Sequence, residues 1–137
     1  MAKGQKSSVL TGIAGVHYVV SELSRRGLVA LATVRNLAAY DVIAVSEDGK
    51  RHANIQVKTS SKRAGFWLMP PPEKIRAGRS DCYVFLRRTN DDKGYEGFML
   101  SGREVRDEVR REVQEQQRRV RDGKRRKVWP SLHVGRD

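Results

Sequence analysis

The 137-residue sequence contains one cysteine, Cys82, so a disulfide within the chain is excluded. Its three histidines do not show the spacing of a zinc-binding motif. It contains neither a Walker loop nor a dinucleotide-binding glycine fingerprint. No apolar run approaches the roughly 20 residues that cross a bilayer. These absences exclude several common classes of protein, and we expect a cytoplasmic location with no membrane association.

Acidic residues are scarce relative to basic ones. The chain has 28 Lys and Arg against 16 Asp and Glu, which gives a formal net charge of +12. Such a charge suits a polyanionic partner, most simply nucleic acid, although a merely soluble basic protein could share it. The length predicts one domain over residues 1–137. Its core is expected at about 8–105, with a C-terminal helix and basic tail at 101–137.

Two short segments in the first half of the chain predict a β-hairpin. Residues 40–45 and 54–59 are rich in apolar and β-branched side chains, as strands are. The polar residues between them include Asp48-Gly49, a dipeptide typical of tight hairpin turns. With this dipeptide at the turn centre, Asp41 falls opposite Gln56, because the two strands are antiparallel.

Three polar side chains meet at the open end of this hairpin. Lys58 is the diagonal neighbour of Asp41 on the face that also carries Gln56. A carboxylate and a second oxygen ligand can hold Mg²⁺ or Mn²⁺, with phosphate and water at the other positions. A nearby lysine can orient or deprotonate water and offset charge on the phosphate. On these residues alone, however, the simpler interpretation is favoured: Asp41 caps a strand while Gln56 and Lys58 are solvated.

A wider pattern surrounds these three residues. In order it comprises an opening helix with Gly12-Ile13-Ala14-Gly15, a strand, the segment Tyr40-Asp41-Val42-Ile43-Ala44, and the segment Gln56-Val57-Lys58-Thr59-Ser60. From about residue 12 to about residue 105 the chain thereby resembles the PD-(D/E)xK nuclease superfamily, which includes restriction endonucleases and Holliday-junction resolvases. It is most similar to small bacterial members with a Gln-x-Lys motif.

The resemblance implies a function and a set of roles. It implies a metal-dependent endonuclease that hydrolyses phosphodiester bonds of DNA with Mg²⁺ or Mn²⁺. Asp41 would bind the metal, Gln56 would supply a carbonyl oxygen where relatives have an acid, and Lys58 would be the catalytic lysine. The backbone carbonyl of Val57 would be a further ligand. A homodimer is plausible by analogy with the resolvases.

Two departures from the family pattern leave an alternative open. Gln56 is neutral, and many relatives have a helix glutamate at the position of Val16. The alternative is a catalytically degenerate protein that binds nucleic acid without cutting it. A second carboxylate near Lys58 would favour the enzyme, and an apolar or basic surround would favour the binder. Of the other helix residues, His17 lies nearer the site in angle than Glu22, although a partly buried helix histidine is the more ordinary interpretation.

Basic residues beside aromatic ones suggest further contacts with nucleic acid, because phosphates pair with cations while bases stack on rings. Lys62 and Arg63 follow Lys58 closely. The run Lys124-Arg125-Arg126-Lys127 precedes Trp129, and a solvated tail is an equally good interpretation of it. The first loop also contains Phe66 and Trp67, and for Trp67 we favour packing on the sheet.

The remaining pattern predicts an α/β fold with a restriction-endonuclease-like core. We expect a central mixed sheet of four to five strands flanked by helices. The first helix is expected to begin after a cap at Ser7, Ser8 or Thr11 and to end near Arg26, with Gly27 as its stop. Residues 28–34 predict a buried strand, 82–87 predict another strand, and 96–100 predict a last short strand.

A long C-terminal helix completes the predicted fold. Ser101 and Glu104 form the sequence pattern of a capping box, and Gly123 marks the end of the helix. A thin stripe of valines runs along it at positions 105, 109, 113 and 120. Such a stripe can pack on its own domain or on another subunit.

Overall fold

The computed structural model describes residues 3–34, 40–61 and 65–133, with side chains from residue 8 onward. A 3₁₀ turn at Pro72–Lys74 lies between the fourth and fifth strands. The elements in chain order are α1 (Lys3–Arg25), β1 (Val29–Ala32), β2 (Val42–Val45), β3 (His52–Ser60), β4 (Phe66–Leu68), β5 (Asp81–Arg88), β6 (Tyr95–Ser101), α2 (Gly102–Arg121) and β7 (Ser131–His133).

A five-stranded mixed sheet forms the centre of the described structure. Its strand order is β1-β2-β3-β5-β6, in which β3 and β5 run parallel and the other neighbours run antiparallel. Strands β4 and β7 form a separate two-stranded antiparallel sheet. The predicted α/β class, with a mixed sheet and a long C-terminal helix, is confirmed. Within the described residues, no helix has the length and apolar content needed to cross a membrane.

Strand β5 separates two hydrophobic cores because its side chains alternate between the faces of the sheet. Tyr83 and Phe85 pack in one core with residues of α2, including Val105 and Val109. Val84 and Leu86 pack in the other core with α1 and β2. The continuous apolar run of this strand therefore reflects burial on both faces.

Helix α1 lies close against β3 at Gly15. A Cβ atom added there would lie 2.9 Å from the Cβ of Thr59, so only glycine permits this approach. The helix ends where the sequence predicts, with Gly27 in a left-handed conformation at φ 88°. The predicted start is wrong, because the helix begins at Lys3, several residues before the proposed caps.

Strand β1 differs from the prediction of a buried strand. It lies at the edge of the sheet and pairs with β2. Leu31 is 61% exposed, and Val29 is also exposed. The apolar composition of this strand is what led to the wrong prediction, since composition alone does not distinguish a central strand from an edge strand.

Helix α2 begins with the predicted capping box. The hydroxyl of Ser101 accepts from the Glu104 amide at 3.2 Å, and the Glu104 carboxylate accepts from the Ser101 amide at 3.1 Å. Val105 and Val109 are fully buried against β5. The first half of the valine stripe therefore packs on its own domain and is not available to another subunit.

Candidate metal and nucleic-acid site

The β2–β3 hairpin has the predicted register. Val42 pairs with Ile55 and Val45 pairs with His52, as a turn centred on Asp48-Gly49 requires. The ladder ends at Val42, and the Asp41 amide donates to the Ile55 carbonyl, so Asp41 lies beside Ile55 and not directly opposite Gln56 as the sequence predicts. At the tip, Gly49 adopts φ 72°, which suits glycine. The Asp48 carboxylate accepts hydrogen bonds from the Ser46 hydroxyl and the Lys50 amide, and these bonds lower the pKa of Asp48. The turn is thus centred where the sequence placed it.

The Asp41 carboxylate takes part in the end of this ladder. Its Oδ2 accepts a hydrogen bond from the Val57 amide at 2.8 Å, and the Asp41 amide donates to the Ile55 carbonyl at 2.9 Å. Asp41 therefore caps a strand, as the simpler interpretation of the sequence had it. Among the described residues its second oxygen, Oδ1, accepts no hydrogen bond, so none of these residues occupies that oxygen.

The backbone carbonyl of Val57 faces the same gap between β2 and β3. The amide and carbonyl of one strand residue point to the same side of the strand, and the Val57 amide points to Asp41. The predicted carbonyl ligand and the predicted carboxylate ligand therefore lie on the same side of β3.

The side chains of Gln56 and Lys58 project from the α2 side of the sheet. Side chains alternate along a strand, and those of Ile55 and Val57 pack in the core on the α1 side. The neighbours of Gln56 and Lys58 on parallel β5 are Tyr83 and Phe85, respectively. Gln56 and Lys58 are both partly buried. Burial raises the pKa of Tyr83, so its phenol stays protonated beside Gln56 at neutral pH.

A cavity of about 510 Å³ opens between α1, the end of β1, the start of β2 and the middle of β3. It brings together Asp41, Gln56 and Val57 with two helix residues that the sequence analysis singled out, Val16 and His17. The other residues lining it are Ser8, Val9, Gly12, Ile13, Ala32, Thr33, Val34 and Tyr40. His17 is exposed at this cavity, so the expectation of a partly buried helix histidine is wrong. Lys58 is not among the lining residues.

The cavity is poor in acid. Of the described residues that line it, Asp41 alone carries a carboxylate. Glu22 lies elsewhere on α1 and pairs with Arg25 at 2.7 Å and with Arg26 at 3.6 Å. Across residues 3–34, 40–61 and 65–133, no group of three or more His, Cys, Asp or Glu side chains could hold a metal ion.

Arg76 is a basic residue near the site that the sequence analysis missed. Its guanidinium lies 5.2 Å from the centre of the Tyr40 ring and donates to the Tyr40 hydroxyl at 3.2 Å. Tyr40 lines the cavity and is adjacent to Asp41. No signal in the sequence links these residues, because Arg76 lies 36 positions away in an irregular, proline-rich segment.

The other predicted contacts with nucleic acid lie apart from this cavity. Lys62 and Arg63 are outside the described residues. The basic run is exposed except at Arg125, which is partly buried and lines a different cavity together with Trp129. Lys124, Arg126 and Lys127 do not line that cavity. Thus the structure does not bring the basic run to Asp41.

Trp67 and Cys82 have structural roles rather than roles in binding or catalysis. Trp67 is buried, and its indole donates to the Leu86 carbonyl at 3.1 Å. Burial, followed by the charges of Asp81 and Glu104, raises the pKa of Cys82. The Cys82 thiol is therefore protonated at neutral pH, which agrees with a structural role rather than a nucleophilic one.

Asp41 and Val57 thus provide a carboxylate and a backbone carbonyl at one cavity, which Gln56 also lines, while Lys58 projects from the α2 side of the sheet and does not line it. Comparison with known proteins adds no assignment to this geometry. No family model matches the chain, and no curated protein or solved structure matches it.

Proposed function

We propose that this chain is an endonuclease that hydrolyses phosphodiester bonds of DNA with Mg²⁺ or Mn²⁺. The observation that carries the proposal is the position of Asp41 at the open end of the β2–β3 hairpin, where its carboxylate accepts from the Val57 amide and lines a cavity together with Gln56 and Val57. We further propose that the core is restriction-endonuclease-like. A mixed sheet with Asp41 directly before β2 and with Gln56 and Lys58 on the adjacent β3 supports that assignment.

The residues present fit a weak divalent-metal site. Asp41 offers a carboxylate oxygen and Val57 a backbone carbonyl, and Gln56, whose side chain projects from the α2 side of the sheet, lines the same cavity. Mg²⁺ is commonly held by one or two carboxylates, with water and substrate phosphate completing its shell. When bound, the metal would supply Lewis-acid stabilisation of the phosphate and a more acidic water. With a single carboxylate, we expect the affinity for Mg²⁺ to be low.

The chain's own residues would orient and neutralise the reacting groups. The hydrogen bond from the Val57 amide fixes the Asp41 carboxylate in one orientation. Lys58 does not line the cavity, so its proposed role is to offset the charge of a phosphate that extends past the hairpin end. Arg76, held against Tyr40, adds positive charge beside the cavity.

A second candidate is a protein that keeps this fold and binds nucleic acid without cutting it. One observation favours it: within the described residues, the cavity holds no carboxylate besides Asp41, while its helix wall is apolar at Val9, Ile13 and Val16. The net charge of +12 serves this candidate as well as the enzyme.

Cleavage assays with Lys58→Ala distinguish the two candidates. Supercoiled, linear and branched DNA are incubated with the chain in Mg²⁺, Mn²⁺ or chelator. The enzyme predicts metal-dependent cleavage by the wild type and its loss in Lys58→Ala. Lys50→Ala is the matched control, because Lys50 is an exposed lysine at the tip of the same hairpin. Binding without metal-dependent cleavage of any substrate would support the second candidate.

A carboxylate at either position where the family pattern has an acid should lower the Mg²⁺ concentration that cleavage requires. We expect Gln56→Glu and Val16→Glu each to reduce the Mg²⁺ concentration for half-maximal cleavage by about tenfold, because a second anionic ligand strengthens a hard-cation site. A titration of cleavage rate against Mg²⁺ measures this shift.

The control for the acid series is Val20→Glu. Val20 is another partly buried valine on α1, one turn further along the helix, and it does not line the cavity. It should leave the Mg²⁺ requirement of the folded chain unchanged. An equal shift in all three variants would mean that a general change in surface charge, not the site, controls metal use.

A further inference from the structure

A second cavity, of about 690 Å³, lies on the α2 side of the structure, and neither the metal site nor the core accounts for it. Helix α2, strands β4 and β7 and the chain between α2 and β7 form its walls. Two large aromatic side chains line it and remain exposed to solvent, Phe66 at 46% and Trp129 at 53%. Exposed rings in a cavity of this size are a surface that is suited to a flat ligand.

The main chain at Trp129 is fixed by a buried glutamine. Gln116 Nε2 donates to the Trp129 carbonyl at 3.0 Å, and Gln116 Oε1 accepts from the Trp129 amide at 2.7 Å. Gln116 is itself 3% exposed, so this pair of bonds is shielded from water. The backbone is thereby held in place while the indole stays exposed.

The opposite ring is also held in a defined position. Phe66 stacks on His133, with ring centres 5.7 Å apart and planes inclined by 29°. His133 Nε2 lies 3.0 Å from the Ser131 hydroxyl and 3.3 Å from a Glu112 carboxylate oxygen. These contacts set the position of Phe66 from one side and leave its exposed surface toward the cavity.

The charge around the rings is mostly positive. Arg119 and Arg125 line the cavity, and the rest of the run 124–127 is exposed beside it. The Arg125 Nε donates to the Lys127 carbonyl at 2.5 Å, which holds this guanidinium at the rim. Within the described lining, Glu112 carries the single carboxylate, and it is already engaged with His133 and with Gln116.

We infer that this cavity binds a segment of single-stranded nucleic acid. An unstacked base would lie on Trp129 or Phe66, while its phosphates would contact Arg119 and Arg125. Exposed aromatic rings next to arginines are the usual means of binding single strands, because every base has a face to stack. The bases of a duplex are already stacked and cannot enter. The inference rests on the proposed nucleic-acid function and names the form of the strand at a second place on the chain.

The test measures binding of fluorescent oligo(dT) and oligo(U) without metal, so that cleavage plays no part. We expect Trp129→Ala to weaken binding by roughly 5- to 150-fold, the range that loss of one base–aromatic stack produces. Trp129→Phe should retain most of the affinity, and Trp129→Leu should not. Gln116 bonds to the main chain of Trp129 rather than to its indole, so these variants are expected to fold.

Tryptophan fluorescence gives an independent readout of stacking. The chain has two tryptophans, and Trp67 is buried, so oligonucleotide binding should quench Trp129 and the quenching should vanish in Trp129→Phe. Arg119→Ala should also weaken binding. Arg110→Ala is its matched control, because nine residues at about 100° each place Arg110 on the opposite side of α2.

Several results would overturn the inference. One is a Trp129→Ala variant that binds single strands as tightly as the wild type, and another is quenching of Trp129 by polyglutamate as strong as by oligo(dT). Self-association that quenches Trp129 and is lost in Trp129→Ala would make a second copy the occupant. Because no metal is used, the inference can survive a failure of cleavage. If Asp41-dependent cleavage occurs while the Trp129 variants bind single strands normally, the inference fails but the proposed nuclease function stands.

Discussion

Replacing Gly102 with alanine is expected to lower the free energy of unfolding by about 3 kcal/mol and the melting temperature by about 10 °C. Gly102 is the first residue of α2 and is buried. A Cβ there would lie 2.9 Å from the Cα of Ala77 and would overlap with the carbonyl oxygen of Arg76, which is closer still. Both neighbours are backbone atoms, so no side-chain rotation can relieve the overlap.

The better helix propensity of alanine cannot offset this overlap, because it contributes at most about 1 kcal/mol. Gly12→Ala is the matched control. Gly12 is an exposed glycine within α1, and nothing lies within 4 Å of the position that a Cβ would take there. This substitution should raise the melting temperature slightly. Thermal unfolding followed by circular dichroism measures both variants, and equal stabilities would contradict close packing of α2 on the segment around Arg76.

Asp41→Ala is expected to reduce metal-dependent cleavage by at least about 100-fold. The substitution removes the only carboxylate among the described residues of the cavity, and a metal contact is worth several kcal/mol of transition-state stabilisation. It should also cost about 1–2 kcal/mol of stability, because the partly buried end of the ladder loses the acceptor for the Val57 amide.

Asp41→Asn separates these two roles. The asparagine carbonyl can still accept from the Val57 amide, so stability should stay within about 1 kcal/mol of the wild type. The anionic ligand is lost, so cleavage should fall as far as in Asp41→Ala. Urea unfolding and cleavage rates on the same preparations provide the comparison. Full activity in Asp41→Asn would show that the residue acts only as a strand cap.

The parts of the fold that local chemistry determines were predictable from the sequence. The Asp48-Gly49 turn defined the hairpin register from Val45 and His52 to Val42 and Ile55. Ser101 and Glu104 defined the start of α2. In each case the residues involved lie within a few positions of one another or are related by the alternation of a strand.

Contacts between distant segments were not predictable in this way. Pairing of β4 with β7 joins strands more than sixty positions apart, and the short apolar stretch at β7 gave no strand signal of its own. The stacking of Arg76 on Tyr40 depends on the same kind of long-range packing. The exposure of β1 was missed because its neighbours, not its composition, decide whether it is central.

Nicking of supercoiled DNA in Mn²⁺, by wild type beside Asp41→Asn, tests the central claim most directly. The proposed nuclease predicts nicked circles with the wild type, none in chelator, and at least about 100-fold slower nicking with the variant. Equal nicking by both proteins, or no nicking by a wild type that binds the DNA, would contradict a catalytic metal site at Asp41.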